Sequence, residues 1–365
     1  MALSDLAKFG QSPWVDHLSR SFVADGELGE LVDLGVVGVT SNPTIFASAI
    51  SEGDDYDDQL RDLLSSENDD KEVFWALARD DVRAACDVLA PVFERGDATR
   101  DGWVSLEVDP NLAFDTDETI SEAKRLHGMV DRPNLFVKIP GTQPGLKAIE
   151  ETIAAGIPVN VTLLFSLDRH REAAEAYLRG LKRLHESGGD LNKVASVASF
   201  FVSRVDTEAD KRLDKIGGHD DLKGKLAIAN AKLAYQTYNE LFSGPEWEKL
   251  EQAGGSPQRC LWASTSTKNP DYPDTIYVDE LIGPNTVNTM PVDTIKDFDD
   301  HGTAANTLES GVDEARQVLQ RLAEAGVDYD DVVKVLEDEG VQKFADSFKE
   351  LLEGVASKRH ELVAS

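Results

Sequence analysis

Apolar and polar positions along the chain fall into two alternating rhythms. Short runs rich in branched residues and bounded by turn chemistry occur at Trp14 to Asp16, Val36 to Thr40, Val104 to Glu107, Leu135 to Lys138, Val159 to Leu163, Val194 to Phe201, Cys260 to Ala263 and Ile276 to Val278; each reads as a buried strand. Between them lie stretches whose apolar residues recur every three to four positions, as at Thr119 to Met129, Gly145 to Ala155, Leu167 to His185 and Leu222 to Leu241. That is the period of an amphipathic helix. Eight such alternations predict an α/β fold, a (β/α)8 TIM barrel with additional helices. A doubly wound sheet is the alternative, but no Gly-x-Gly-x-x-Gly turn follows any strand and no Walker A loop occurs.

No long linker, low-complexity tract or solenoid-type repeat interrupts this order, so residues 1–365 are expected to form one domain. Extra helices are expected at about residues 54–95, as an insertion between the second and third strands, and at about 308–352, after the last. Both read as surface cover for the barrel. At 365 residues and 41% hydrophobic, the chain can bury a large core.

Charge narrows the possible partners. With 68 Asp and Glu against 37 Lys and Arg, the net charge is −31, which would repel nucleic acid and anionic membranes. An excess of this size also suits high salt, where self-repulsion is screened. Acid-rich blocks such as Ser51 to Asp58 and Glu67 to Asp70 read as solvated loops and helix starts, where carboxylates favour the helix dipole. The segment Met1-Ala2-Leu3-Ser4-Asp5-Leu6 lacks a basic lead into an apolar stretch, and the longest uncharged apolar run, Val194 to Val202, is too short to span a bilayer. A soluble, cytoplasmic protein is expected. Cys86 and Cys260 fit no CxxC pattern and read as buried apolar fillers.

In a barrel of this kind chemistry sits at the C-terminal ends of the strands. Polar residues close several of the predicted strands: Asp16, then Thr40 with Asn42, Glu107, Lys138, Asn160 with Thr162, Ser199 to Arg204, and Ser264. Lys138 lies within Leu135-Phe136-Val137-Lys138-Ile139-Pro140, apolar on both sides. Burial of a lysine favours the neutral amine, which can attack a carbonyl to form a Schiff base. The alternative is a structural ion pair with a carboxylate such as Glu107. A protonated imine is an electron sink for carbon-carbon cleavage in a hydroxyketone, and it needs no metal or other cofactor. Such chemistry also needs two acid/base groups, for which Glu107 and Asp16 are the available strand-end carboxylates. Asn42, Asn160, Thr40, Thr162 and Ser199 suit a hydroxyl-rich substrate, and Arg204 suits an anionic terminus.

These residues resemble the transaldolases, in their longer bacterial branch, from about Trp14 to the C-terminal helices. Gly38-Val39-Thr40-Ser41-Asn42-Pro43 resembles the family's Thr-x-Asn-Pro signature, and Val137-Lys138-Ile139-Pro140 the segment around its Schiff-base lysine. Asn160-Val161-Thr162-Leu163-Leu164-Phe165-Ser166 and Ser199-Phe200-Phe201-Val202-Ser203-Arg204 are similar to two further family segments. The resemblance implies transfer of a dihydroxyacetone unit from a ketose phosphate (sedoheptulose 7-phosphate or fructose 6-phosphate) to glyceraldehyde 3-phosphate or erythrose 4-phosphate, in the non-oxidative pentose phosphate pathway. It implies Lys138 as the Schiff base, Asp16 as the base for retro-aldol cleavage, and Glu107 with Thr162 and a water as the proton relay. Asn42 and Asn160 would hold the dihydroxyacetone hydroxyls, while Ser199 and Arg204 would bind the rest of the substrate and its phosphate. The chain departs from the family's shorter members in one respect: Ser266 stands where they carry a second phosphate-binding arginine, leaving Ser264 and Lys268 as candidates for that part of the site.

Three competing functions have distinguishable sequence features. A fructose 6-phosphate aldolase, which releases dihydroxyacetone, would share the barrel and the lysine, but by resemblance carries Gln at the position of Glu107 and Tyr at that of Phe201. A metal-dependent aldolase would need clustered histidines, whereas the seven histidines here form no His-x-His or His-Glu-x-x-His pair and read mostly as helix-surface residues. A non-catalytic barrel would not require a buried lysine beside two strand-end carboxylates. Either a monomer or a homodimer is compatible with the sequence.

Overall fold

The computed structural model describes residues 2–51, 53–63, 67, 69–95 and 101–364. Eight parallel strands close into a barrel in chain order: β1 (Gln11–Asp16), β2 (Gly38–Thr40), β3 (Trp103–Glu107), β4 (Leu135–Pro140), β5 (Val159–Leu164), β6 (Ser196–Phe201), β7 (Arg259–Ala263) and β8 (Thr286–Met290). The last strand pairs back onto the first, Gln11 to Val15 against Thr286 to Met290. Because neighbours alternate across a strand, every second residue points into the barrel.

The inward residues of the N-terminal half form a packed aromatic floor. Trp103 stacks on Phe136 with ring centroids 4.1 Å apart, and Trp14 lies 6.1 Å from the same ring. Gly38 makes room for Trp14: a Cβ at residue 38 would stand 2.4 Å from the indole. Below this layer the buried Arg259 pairs with Asp101 at 3.1 Å, and the Ser12 hydroxyl donates to the same carboxylate at 2.7 Å. With the lower half filled, any cavity is displaced to the C-terminal mouth.

Seven of the expected strands are observed; two start at the expected residue and the other five shift by one to three residues. The eighth is a correction. Ile276–Asp279 is a helical turn, and the last strand lies further on at Thr286–Met290. Tyr277 is buried there because its hydroxyl donates to Asp206 at 2.8 Å, which anchors the turn. The true strand reads Thr-Val-Asn-Thr-Met, and its polar members are buried with partners. Gln11 Nε2 donates to Thr286 Oγ1 at 3.0 Å, Thr265 Oγ1 donates to Asn288 Oδ1 at 2.8 Å, and Asn288 Nδ2 donates to the Tyr277 carbonyl at 3.2 Å.

Additional helices flank the barrel. Asp57–Leu63 and Asp70–Glu94 fall between β2 and β3; Asp69 caps the longer one by accepting from Lys71 N. Glu52 and Asn68, within the acid-rich blocks, lie outside the described residues. After β8 come Val312–Ala325 and Tyr329–Ala364. Reading this last helix as surface cover alone is also corrected: it crosses the barrel mouth, tied to the helix Pro43–Ser51 by a 2.8 Å bond from Thr44 to Ser347, and brings Lys343 and Phe344 to the cavity wall. Cys86 and Cys260 are buried and free. His170 departs from the surface expectation, being buried with a ring nitrogen 3.7 Å from Cys260 Sγ. No helix among the described residues is long and apolar enough to cross a membrane.

Candidate active site

At the C-terminal mouth the strand ends surround a cavity of about 250 Å³. Ten of the twelve residues singled out from the sequence line it: Asp16, Thr40, Asn42, Lys138, Thr162, Ser199, Phe201, Arg204, Ser264 and Lys268. The other two, Glu107 and Asn160, are buried on either side of Lys138, since β3 pairs Glu107 with Lys138 and β4 pairs Lys138 with Asn160. Parallel register thus sets acid, amine and amide on one rung.

Lys138 is only 5% exposed. Its Nζ donates to the Ser41 carbonyl at 3.1 Å and stands 3.2 Å from Glu107 Oε2. The ion pair offered above as the structural alternative therefore exists, but it is not sealed as a purely structural pair would be. Neither oxygen of Glu107 makes a hydrogen bond among the described residues, nor does the buried Thr162 hydroxyl. Buried oxygens in native proteins are normally satisfied, by protein or by water. Burial raises the Glu107 carboxyl from its ordinary 4.5 to about 6, the neighbouring Lys138 charge holding it down and Asp16 adding a smaller upward push. Glu107 is thus poised to gain and lose a proton near neutrality.

Asp16 faces the cavity from the end of β1, in register with Thr40, whose hydroxyl donates to it at 2.7 Å. The Thr40 hydroxyl also lies 2.7 Å from that of Thr289 on β8. Asn160 works through others: Ser199 Oγ donates to its Oδ1 at 2.7 Å, and its Nδ2 donates to Ser105 Oγ at 3.0 Å. Asn42 accepts from Ile45 N at 3.1 Å, which fixes the turn into the next helix. Two wall segments hold strained backbone. Leu163, beside Thr162 at a register shift of β5, has φ 58°, and Ser264, just past β7, has φ 56°. Ser264 is held there by a 2.9 Å contact between its hydroxyl and that of Ser203. Positive φ in residues bearing a Cβ is costly and clusters at functional sites.

One side of the cavity is cationic. The Arg204 guanidinium rests 5.0 Å from the Phe201 ring centroid, and Lys268 Nζ donates to Ser266 Oγ at 2.6 Å. Desolvation lowers the Arg204 pKa, with Asp16 opposing it; desolvation also lowers that of Lys268, reinforced by the charges of Arg204 and Lys343. Phe344 covers the amine, its ring centroid 5.6 Å from Lys138 Nζ. Sequence reasoning missed Thr289 with its strand, and also missed Lys343 and Phe344. The strand's readable signal was limited to a β-favouring Thr286-Val287 and Thr289-Met290 run after the turn residues Gly283-Pro284-Asn285, without a period-2 apolar alternation. The two helix residues had none, because helical periodicity marks Phe344 as core without saying whose core.

The family model for transaldolase/fructose-6-phosphate aldolase matches residues 13–355. A transaldolase of Parafrankia sp. (strain EAN1pec) is 53% identical over 357 residues, covering 97% of this chain and 96% of the relative. That of Thermobifida fusca (strain YX) is 52% identical over 360 residues, 98% of each. A protein named transaldolase 2 from Streptomyces avermitilis is 49% identical over 368 residues, 100% of this chain and 99% of the relative. Matched over nearly its whole length by family and relatives alike, the chain belongs to the transaldolase/fructose-6-phosphate aldolase family.

Proposed function

We propose that the protein is a transaldolase that moves a dihydroxyacetone unit between sugar phosphates through an imine on Lys138. One observation carries the reading: a buried amine at the cavity wall, 3.2 Å from a carboxylate that has no other bond among the described residues. The Lys138 amine attacks the ketose carbonyl, giving a carbinolamine. Glu107 and a water bonded to Thr162 pass protons so that hydroxide leaves as water and the iminium forms. Asp16 takes the proton from the hydroxyl next to the bond to be broken. That bond's electron pair flows into the iminium, the aldose phosphate departs as an aldehyde, and an enamine of three substrate carbons stays on Lys138. The enamine carbon then attacks the aldehyde of the acceptor, Asp16 returns its proton to the new alkoxide, and hydrolysis through Glu107 frees the product ketose. No metal or organic cofactor enters any of these steps.

Binding follows from the same wall. Asn42 and Ser199, the latter oriented by Asn160, hold substrate hydroxyls, while Arg204 and Lys268 attract the phosphate. The substrates suited to this reading are sedoheptulose 7-phosphate or fructose 6-phosphate as donor and glyceraldehyde 3-phosphate or erythrose 4-phosphate as acceptor, in the non-oxidative pentose phosphate pathway of the cytoplasm.

Within the family, fructose 6-phosphate aldolase activity is the second reading. Glu107 and Phe201 favour transfer, since an apolar Phe201 and Phe344 keep water from the enamine. Incubation with fructose 6-phosphate, with and without erythrose 4-phosphate, separates the two. Transfer predicts sedoheptulose 7-phosphate only when the acceptor is present. Free dihydroxyacetone released equally fast without acceptor would overturn the proposal in favour of the aldolase.

A further inference from the structure

In a chain carrying a net charge of −31, basic side chains are seldom far from a carboxylate. Arg169 reaches Glu172 at 2.8 Å and Glu337 at 3.4 Å, and Arg212 reaches Glu208 at 2.9 Å. The cationic side of the cavity is an exception. Arg204 after β6, Lys268 after β7 and Lys343 on the helix Tyr329–Ala364 all line it, and among the described residues none forms an ion pair with a carboxylate. They do feel one another, because the charges of Arg204 and Lys343 both disfavour the ammonium form of Lys268. Asp16 is the one carboxylate whose charge acts on Arg204 and Lys268 from within the cavity, and it pairs directly with none of the three; like charges so grouped raise the energy of the empty site, and an anion entering between them relieves it.

Lys343 reaches this place through its neighbour. Phe344 is buried over Lys138, which fixes the rotation of the helix at the mouth, and Ser347 ties the next turn to Thr44. The preceding residue is thereby set on the cavity rim. We propose that Lys343 is a phosphate ligand of the substrate, acting with Arg204 and Lys268 as a three-cation site in which two lysines stand in for the arginine absent at Ser266. This inference rests on the transaldolase reading. It makes the last helix part of the binding site, so that a bound phosphate fastens that helix across the mouth. Two lysines supply point charges without the fixed fork of a guanidinium, so charge matters more than geometry at residue 343.

The test uses three variants of the full-length enzyme and two probes: inorganic phosphate as a competitive inhibitor, and fructose 6-phosphate compared with an unphosphorylated dihydroxyacetone donor. Lys343→Gln keeps length and helix propensity and should raise the phosphate inhibition constant and the KM for fructose 6-phosphate about tenfold, the loss expected for one charge-assisted contact. Lys343→Arg should stay within about threefold of the parent, because a cation is retained. The cost of Lys343→Gln should be several times larger for the phosphorylated donor than for the other. Equal costs for both donors would show a merely structural helix residue and overturn the proposal. An unchanged phosphate constant in Lys343→Gln, with Arg204→Ala raising it, would remove Lys343 from the site and leave the transaldolase reading standing. A phosphate constant unmoved in both variants would sink the phosphate site itself, and this inference with it.

Discussion

Replacing Glu107 with Gln isolates the proton relay from the rest of the site. Burial lifts this carboxyl from 4.5 to about 6 despite the adjacent Lys138 ammonium. That shift corresponds to roughly 2 kcal/mol against the ionised form at about 1.4 kcal/mol per pH unit. A relay that must begin as a carboxylate is therefore half competent near pH 6 and about one-tenth competent at pH 5. The profile of kcat/KM, which reports the free enzyme, should fall about tenfold per unit on the acid side with a midpoint near 6. Phosphate esters also titrate at about that pH, so the profile should be taken with an unphosphorylated ketose donor. Glu107→Gln preserves shape but cannot take a proton. It should lower the plateau by about 10²-fold or more and remove the acid limb. A parent profile flat from pH 5 to 7, or a limb near 6 that survives in Glu107→Gln, would refute the relay assignment.

Three other outcomes are expected. Phe344→Ala opens the wall over Lys138, so the ratio of free dihydroxyacetone to transferred product should rise several-fold, and an unchanged ratio would contradict its role in excluding water. Gly38→Ala drives a methyl group to within 2.4 Å of the Trp14 ring and should cost about 1–3 kcal/mol, read as a lower Tm; a parental Tm would show that the floor yields freely. Asp206 is buried and accepts from Ala227 N and Tyr277 Oη, and burial raises its pKa from 3.8 to about 7. The folded state thus holds this proton more tightly than the unfolded chain, and its contribution to stability is complete below about pH 4 and lost as pH rises through about 7. Asp206→Asn should flatten that part of the urea-unfolding dependence on pH, whereas an identical slope in the variant would argue against it.

The barrel was legible because its strands carry branched apolar residues on the outer face and end in single polar side chains, as at Val137-Lys138 and Leu106-Glu107. β8 escaped because burial there is earned by hydrogen bonds: Thr286 and Asn288 look solvent-facing until Gln11, Thr265 and the Tyr277 carbonyl satisfy them. Ile276-Tyr277-Val278 took its place because β-branched composition describes burial as well as it describes a strand. The cavity's strand-end residues could be named from the chain, but not the layer each occupies. Asn160 and Ser199 both close apolar strands, yet the amide sits behind and orients the hydroxyl. Lys343 and Phe344 were out of reach because no local pattern says which mouth a C-terminal helix will cross.

Reductive trapping tests the central claim most directly. Sodium borohydride added to the protein with fructose 6-phosphate should inactivate it irreversibly and leave a reduced dihydroxyacetone or hexose phosphate adduct on the peptide containing Lys138, with none in Lys138→Ala. Activity that survives borohydride in the presence of donor, or an adduct on a different lysine, would contradict the account.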